Sequence, residues 1–333
     1  MLAKTPVFIT GLYRSGTTLL SRSLNANPKL FITFDNVHFM RFCYNKFEPL
    51  NSKNILNLIN DVSERLLERN NIKIDKKAII SDIQNFKKVN YSIIYNSIMK
   101  NCFLKKKTKL IWGEKTNVAW GSIPNFLKMF PDGKCIFLLR DPRDVLCSFK
   151  KMTDNPWPNY LDSIFASLGA FQYAEFLKKK ISKKNLFILK YENLVNEPEK
   201  NLKKICKFIG VNYDKEMINL NSFKDINGEK WISNTSYSNS INKISTSSIG
   251  KWKKKILMEE LCLLEIVLKK EMNIYGYESS EKKFSTKNLI RSFKLISDSN
   301  LLIERFKLWI EEKRGVDTYP NNPTWQPVKA DFD

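Results

Sequence analysis

The segment that most limits this chain is Pro6-Val-Phe-Ile-Thr-Gly11-Leu-Tyr-Arg-Ser-Gly16-Thr-Thr18. A short apolar run reads as a strand, two glycines five residues apart bound a tight loop, and a helical pattern follows from Thr17 to about Asn25. Helix N-termini leave backbone N–H groups without partners and carry the positive end of the helix dipole. A strand running through a glycine loop into a helix therefore builds an anion cradle.

The glycine spacing is that of a P-loop, G-x-x-x-x-G-K-[ST], but the lysine position holds Thr17. The nearest cation is Arg14, inside the loop. That replacement points away from nucleoside triphosphate hydrolysis and toward another phosphorylated donor.

Periodicity over the rest of the chain gives an alternating α/β plan. Strand-like runs are expected at Val7–Gly11, Lys109–Trp112, Cys135–Arg140 and Leu186–Lys190, short and apolar as parallel strands buried on both faces should be. Helices are expected at Thr17–Asn25, Pro142–Lys151 and Pro198–Ile209. A helical insertion is expected over about 50–105, then a loop-rich stretch over 211–250. Two more helices are expected at about Ile256–Glu271 and Lys287–Lys313, and an irregular Pro/Asn-rich tail from Tyr319. With 333 residues and 43% hydrophobic content the chain can bury a substantial core. It holds no apolar run of membrane-spanning length and no leader-like N-terminus, so a cytoplasmic location is expected. Its six cysteines are scattered without a C-x-x-C pair, which suits reduced thiols and no metal site.

Lysine and arginine number 56 against 34 acidic residues, a formal charge of +22. Such a balance suits an anionic ligand. The abundance of Lys, Asn and Ile also fits an AT-biased coding sequence, which would leave much of the charge on solvated faces. No zinc finger, RNA-recognition signature or basic arm is present, so nucleic acid is not the expected partner.

A second constellation is Arg140-Asp-Pro-Arg143-Asp-Val-Leu-Cys-Ser148. Arg140 ends a strand, where open α/β sheets bind ligands, and Pro142 starts a helix. Ser148 follows two turns later. The other reading of these residues is helix capping by Asp141 and Asp144 with surface ion pairs for the arginines.

Together these motifs resemble the sulfotransferase family that uses 3′-phosphoadenosine-5′-phosphosulfate. The family's [KR]-[ST]-G-T-T loop is matched by Arg14-Ser15-Gly16-Thr17-Thr18, and its arginine and serine eight residues apart by Arg140 and Ser148. Trp112-Gly-Glu-Lys115-Thr116 resembles the E/D-K-T segment. Leu189-Lys-Tyr191-Glu192 through Pro198 to Gly210 resembles the Y-E-D-L…P…F-L-G segment, and Ser247-Ser248-Ile-Gly-Lys251-Trp252 the late basic loop. The likeness covers about residues 6–275 and is nearest the bacterial and tyrosylprotein-type branch. Two departures are Tyr13 and Asn117, which stand where proline is usual.

The resemblance implies an α/β fold of the P-loop NTPase-like type: a three-layer sandwich with a central, mostly parallel sheet and added helices. It implies a sulfotransferase domain over 1–280, with 281–333 as a C-terminal helix and tail packed on it. Arg14, Ser15, Gly16, Thr17 and Thr18 would hold the 5′-phosphosulfate. Arg140 and Ser148 would hold the 3′-phosphate. Ser247, Ser248 and the Lys251–Lys255 run would close over the donor. Tyr191 would contact adenine, although a buried core tyrosine reads equally well. Arg14 and Lys115 would stabilise the leaving group without a metal. The candidate general base is Asp35, with His38, the one histidine in the chain, as second choice. Asp35 would need its pKa raised to serve. The acceptor would be a glycan, a peptide tyrosine or a small molecule with a hydroxyl or amine, with an anionic polysaccharide mildly favoured by the charge. The rival readings are a P-loop nucleotide kinase and a non-catalytic nucleotide- or glycan-binding protein of the same fold.

Overall fold

The computed structural model describes residues 5–104, 111–151, 157–224, 244–280 and 282–316. Five strands, β1 (Val7–Gly11), β2 (Leu30–Phe34), β3 (Ile111–Lys115), β4 (Lys134–Leu139) and β5 (Leu186–Lys190), form one sheet of order β2-β3-β1-β4-β5. Every pairing is parallel. The sheet is thus wholly parallel, and β2 is a strand that the sequence reading did not list. Its Leu-Phe-Ile-Thr-Phe run follows the Asn27-Pro28 turn closely enough to be read as the end of the preceding loop. Residues 105–110, at the start of the expected Lys109–Trp112 strand, lie outside the described residues; β3 begins at Ile111.

Alternation along the central strands separates two cores. Val7 and Ile9 of β1, with Ile136 and Leu138 of β4, face α1 (Thr17–Asn25), whose Leu19, Leu20 and Leu24 cover them. Phe8, Cys135, Phe137 and Leu139 face the other way. Both faces of a parallel sheet must be covered, because the crossover helices have to lie somewhere. The result is three layers.

Among the described residues, the insertion between β2 and β3 is four helices: α2 (Phe39–Phe42), α3 (Ser52–Asn70), α4 (Lys76–Gln84) and α5 (Tyr91–Phe103). The last three begin at Asn51, Asp75 and Asn90, whose side chains accept from the N–H groups of Asn54, Ala78 and Ile93. Leu58, Ile59, Val62 and Leu66 give α3 one buried stripe at helical spacing. Next come α6 (Ile123–Met129), α7 (Pro142–Phe149), α8 (Asp162–Lys180), α9 (Tyr191–Asn196) and α10 (Pro198–Ile209). Pro142 and Pro198 open α7 and α10, and Gly210 closes α10 with φ 91°.

The C-terminal part is α11 (Trp252–Lys255), α12 (Met258–Ile274), α13 (Thr286–Ser297) and α14 (Asn300–Glu312). The single helix expected over Lys287–Lys313 is therefore two, broken where Ser299 caps the second by accepting from Leu302 N–H. α13 packs on α12 and α14 on α8. The chain then lies directly against α8: Val316 N–H donates to the Phe165 carbonyl at 3.0 Å, and Gln172 Nε2 donates to the Lys313 carbonyl at 2.7 Å. The expected irregular tail from Tyr319 lies outside the described residues. No helix among the described residues is long and apolar enough to cross a membrane.

Gly169 permits that contact, since a Cβ there would stand 1.9 Å from the Val316 carbonyl oxygen. Gly169→Ala is expected to destabilise the protein by about 1–3 kcal/mol, the usual range for overpacking. Urea denaturation checks it, and an unchanged midpoint would mean that residues 313–316 are not held on α8.

Candidate active site

The carboxyl ends of all five strands point to one side, and each delivers a residue there. β1 leads into the Arg14 loop, β2 to Asp35, β3 to Lys115, β4 to Arg140 and β5 to Tyr191. Open α/β sheets bind ligands at this edge.

The loop after β1 is built from within. Ser15 N–H and Ser15 Oγ both donate to the Leu12 carbonyl, at 3.1 and 2.6 Å. Arg14 and Gly16 take positive φ, 69° and 94°. Side chains rarely tolerate that region, and at Gly16 a Cβ would also lie 2.3 Å from the Tyr191 ring. The first intrahelical bond of α1 is Leu20 N–H to the Gly16 carbonyl. Ahead of it, the N–H groups of Gly16, Thr17, Thr18 and Leu19 have no intrahelical acceptor. No side chain caps this helix. The candidate anion cradle therefore consists of these amides and not of Ser15, whose N–H and hydroxyl are both spent on the loop.

Arg140 braces the cradle from the β4 side. Its guanidinium donates to the Arg14 and Ser248 carbonyls at 2.7 Å each and stacks over Tyr191, while its Nε is buried without an acceptor. Arg14 Nε donates to Ser148 Oγ at 2.8 Å. The Tyr191 and Ser248 hydroxyls share a hydrogen bond of 2.6 Å. Ser247 and Lys251, by contrast, are exposed on the turn beside this group. Asp144 holds that turn: its carboxylate accepts from Gly250 N–H at 2.7 Å and Trp252 N–H at 2.9 Å. Asp141 caps α7 and pairs with Arg143 at 2.8 Å. The capping reading of this segment thus holds for Asp141, while Asp144 secures the 250–252 turn instead.

Across from the cradle stands the Asp35 group. Asp35 forms an ion pair with Lys115, which is 2% exposed. Asn117 adds its main-chain N–H to Asp35 Oδ1 and its Nδ2 to Asp35 Oδ2, at 3.3 and 3.2 Å. Burial pushes the Asp35 carboxyl upward, but Lys115, His38 and the Asn117 N–H outweigh it and hold the pKa below the ordinary value. The raised pKa that a base would need is absent while Lys115 stays in place.

His38 is buried behind Asp35, with Nε2 3.1 Å from Arg69 and Nδ1 without a partner. Burial, together with Arg69, Arg41 and Arg65, lowers its pKa to about 3 against the pull of Asp35. It is a neutral imidazole whose accepting nitrogen already meets a guanidinium. Beneath it, Glu114 accepts from His38 N–H, Phe39 N–H and the Tyr95 hydroxyl. Burial pushes Glu114 up to about 7 despite these donors.

Sequence reasoning missed Glu114, Asp144, Arg65 and Arg69 as builders of the site. Arg65 is fully buried and donates to the Val37 carbonyl at 2.5 Å. Both arginines come from α3, which carries no motif. Its only advance signal was two arginines four residues apart, one beneath the other on a helix.

Two predictions follow from these contacts. Asp144→Ala should loosen the 248–252 turn and destabilise the protein by about 1–3 kcal/mol, the cost of leaving the Gly250 and Trp252 N–H groups without their acceptor; urea denaturation measures it. The second concerns pH. The unfolded state takes up a proton on His38 between about pH 6.5 and 3 while the native state does not, so that residue's contribution to stability is lost as pH falls through this window. Glu114 works oppositely: the native state holds its proton up to about 7, so stability falls as pH rises from about 4.5 to 7. The two offset each other in the overlap. His38→Gln should therefore unmask a stability that declines from pH 4.5 to 7, read by denaturant melts at each pH.

The Sulfotransfer_3 model of the sulfotransferase family matches residues 6–215. Among solved structures, the sulfotransferase domain from the curacin biosynthetic pathway is 20% identical with a TM-score of 0.55, covering 83% of this chain and 99% of that one. The sulfotransferase domain from the Synechococcus PCC 7002 olefin synthase is 19% identical with a TM-score of 0.52, covering 79% and 94%. At these identities the likeness is one of fold. No curated protein sequence matches the chain. With the family model spanning the strand–loop–helix, the Asp35–Lys115 pair, Arg140 and Tyr191, the chain belongs to the sulfotransferase family.

Proposed function

We propose that the protein transfers a sulfuryl group from 3′-phosphoadenosine-5′-phosphosulfate to an acceptor hydroxyl or amine. The observation that carries this is the facing arrangement of two groups at one sheet edge. On one side stand the free N–H groups of Gly16–Leu19 with Arg14 and Arg140; on the other, the Lys115–Asp35 pair. A kinase would need a loop lysine on the β- and γ-phosphates; here Thr17 donates instead to Asn117 Oδ1 at 2.8 Å.

The residues fit this donor. The amides of Gly16, Thr17 and Thr18 with Arg14 would hold the 5′-phosphosulfate. Arg140, Ser148 and the Ser248 turn would hold the 3′-phosphate, with Tyr191 at adenine. When bound, the donor supplies the sulfuryl group and a bisphosphate leaving group. Arg14 and the helix amides stabilise charge that gathers on the leaving phosphate, an effect that costs about 10²–10³ in rate when one donor is removed. Lys115 would turn from Asp35 toward that same charge. Its departure removes the main cation holding the Asp35 carboxyl low, so Asp35 becomes a stronger base as the donor arrives. Asp35 is then the group that accepts the acceptor's proton. His38, neutral and committed to Arg69, orients the loop that carries it. An anionic glycan suits the basic balance of the chain; a peptide tyrosine or a small alcohol would enter by the same face.

Adenosine 3′,5′-bisphosphate should raise the melting temperature, since a ligand at a hundred times its Kd adds about 2.7 kcal/mol. Arg140→Ala should weaken that binding about 10- to 100-fold, the loss of charge-assisted hydrogen bonds. Preference for ATP with magnesium in the same titration would instead identify a kinase. Bisphosphate binding without transfer to any acceptor, and no effect of Asp35→Asn, would identify a non-catalytic binder.

A further inference from the structure

We propose that Asn117 is a positioning residue through which the donor-binding loop aims the Asp35 carboxylate; this rests on the sulfotransferase reading above. Three hydrogen bonds converge on this side chain and its N–H. Thr17, the first residue of α1, donates its hydroxyl to Asn117 Oδ1 at 2.8 Å. That bond settles the amide's orientation, because the opposite rotamer would set Oδ1 against the Asp35 carboxylate. Nδ2 is thereby directed to Asp35 Oδ2, and the main-chain N–H reaches Asp35 Oδ1. Asn117 is the residue that touches both Thr17 of the cradle and the carboxylate facing it.

The backbone around Asn117 is built to hold it there. Val118 has φ 52°, a costly conformation for a β-branched residue. It persists because Val118 N–H donates to the Gly11 carbonyl at 2.9 Å and Ala119 N–H donates to Thr10 Oγ1 at 3.1 Å. Local strain of this kind stays only where the surroundings over-determine it. Asp35 itself has φ 50°. Two strained turns thus face each other, and the Asn117 amide lies between them.

The other charged groups around Asp35 do not duplicate this role. Lys115 of β3 is the partner that leaves when charge collects on the donor side. His38, after β2, is neutral, and Arg69 of α3 reaches only the Asp35 main-chain carbonyl, at 3.5 Å. Glu114 of β3 is turned to His38, Phe39 and Tyr95. Arg41 and Arg65 act on His38, and Arg65 is bound to Asp61 and Val37. Once Lys115 turns away, the Asn117 N–H groups are the donors left to keep the carboxylate aimed.

The test is the titration of Asp35 by carboxyl NMR on ¹³C-aspartate protein, with and without adenosine 3′,5′-bisphosphate, in wild type, Asn117→Ala, Asn117→Asp and Thr17→Val. Removing an N–H donor from a carboxylate raises its pKa. Asn117→Ala should move the Asp35 titration upward by about half a unit or more. The isosteric Asn117→Asp, which adds a like charge, should move it further. Thr17→Val, which leaves Asn117 in place but removes the bond that orients it, should move it in the same direction. An Asp35 titration unchanged in all three variants overturns the proposal. So does a loss of bisphosphate affinity beyond about tenfold in Asn117→Ala, which would make Asn117 a builder of the cradle. Failure of wild type to bind the bisphosphate would overturn the sulfotransferase reading instead, and the Asp35 titrations would still report the Thr17–Asn117–Asp35 link.

Discussion

Everything at the site depends on the register of the parallel sheet. Ile9 and Phe34 both lie opposite Lys115, Gly11 lies opposite Leu138, and Leu139 lies opposite Lys190. The ladder continues past the strand ends, with Asp35 N–H on the Lys115 carbonyl and Val118 N–H on the Gly11 carbonyl, both at 2.9 Å. Strands cannot slip by one residue here, since that would send Phe8 and Phe137 to the α1 face and Val7 and Ile9 away from it. Core packing therefore keeps the loop, Asp35, Lys115, Arg140 and Tyr191 level with one another, although they lie far apart in sequence.

On that platform the charges are sorted. One side gathers Arg14, Arg140 and the first amides of α1, with Arg140 donating to the Arg14 and Ser248 carbonyls and Arg14 to Ser148. The opposite side holds Asp35 between Lys115 and the Asn117 N–H groups, and is backed by arginines from the insertion. The loop from Asp35 to His38 pays for its two positive φ angles through Arg65, Arg69, Asn70 and Glu114, which bind it on several sides. The insertion is thus part of the site and not only a cover.

Much of this was legible in advance. The Gly11–Thr18 loop named itself because glycine spacing and helix onset are local properties, and Arg140 did so because a charged residue ending an apolar strand has a defined place in an α/β sheet. The order of the motifs, with Lys115, Tyr191 and the Ser247–Trp252 turn, carried the family. β2 was overlooked because five apolar residues after a turn look the same in a loop as in a strand. Of the two adjacent serines that the motif offers, Ser248 makes the contacts and Ser247 stays exposed, a division that no pattern along the chain distinguishes. The break at Ser299 was hidden because two helices share one apolar rhythm until a cap intervenes.

By itself, then, the sequence determined the alternating elements, the glycine loop that opens α1 and the arginines near it, since each rests on residues near one another in the chain. Tertiary structure alone decided which groups meet: that Lys115 pairs with Asp35, that α3 supplies Arg65 and Arg69, that Asp144 holds the 250–252 turn, and that Asn117 joins Thr17 to Asp35. Hydrogen bonds and ion pairs depend on approach within about 3 Å. No spacing along a chain encodes that approach until the sheet has closed and its register has brought the strand ends together.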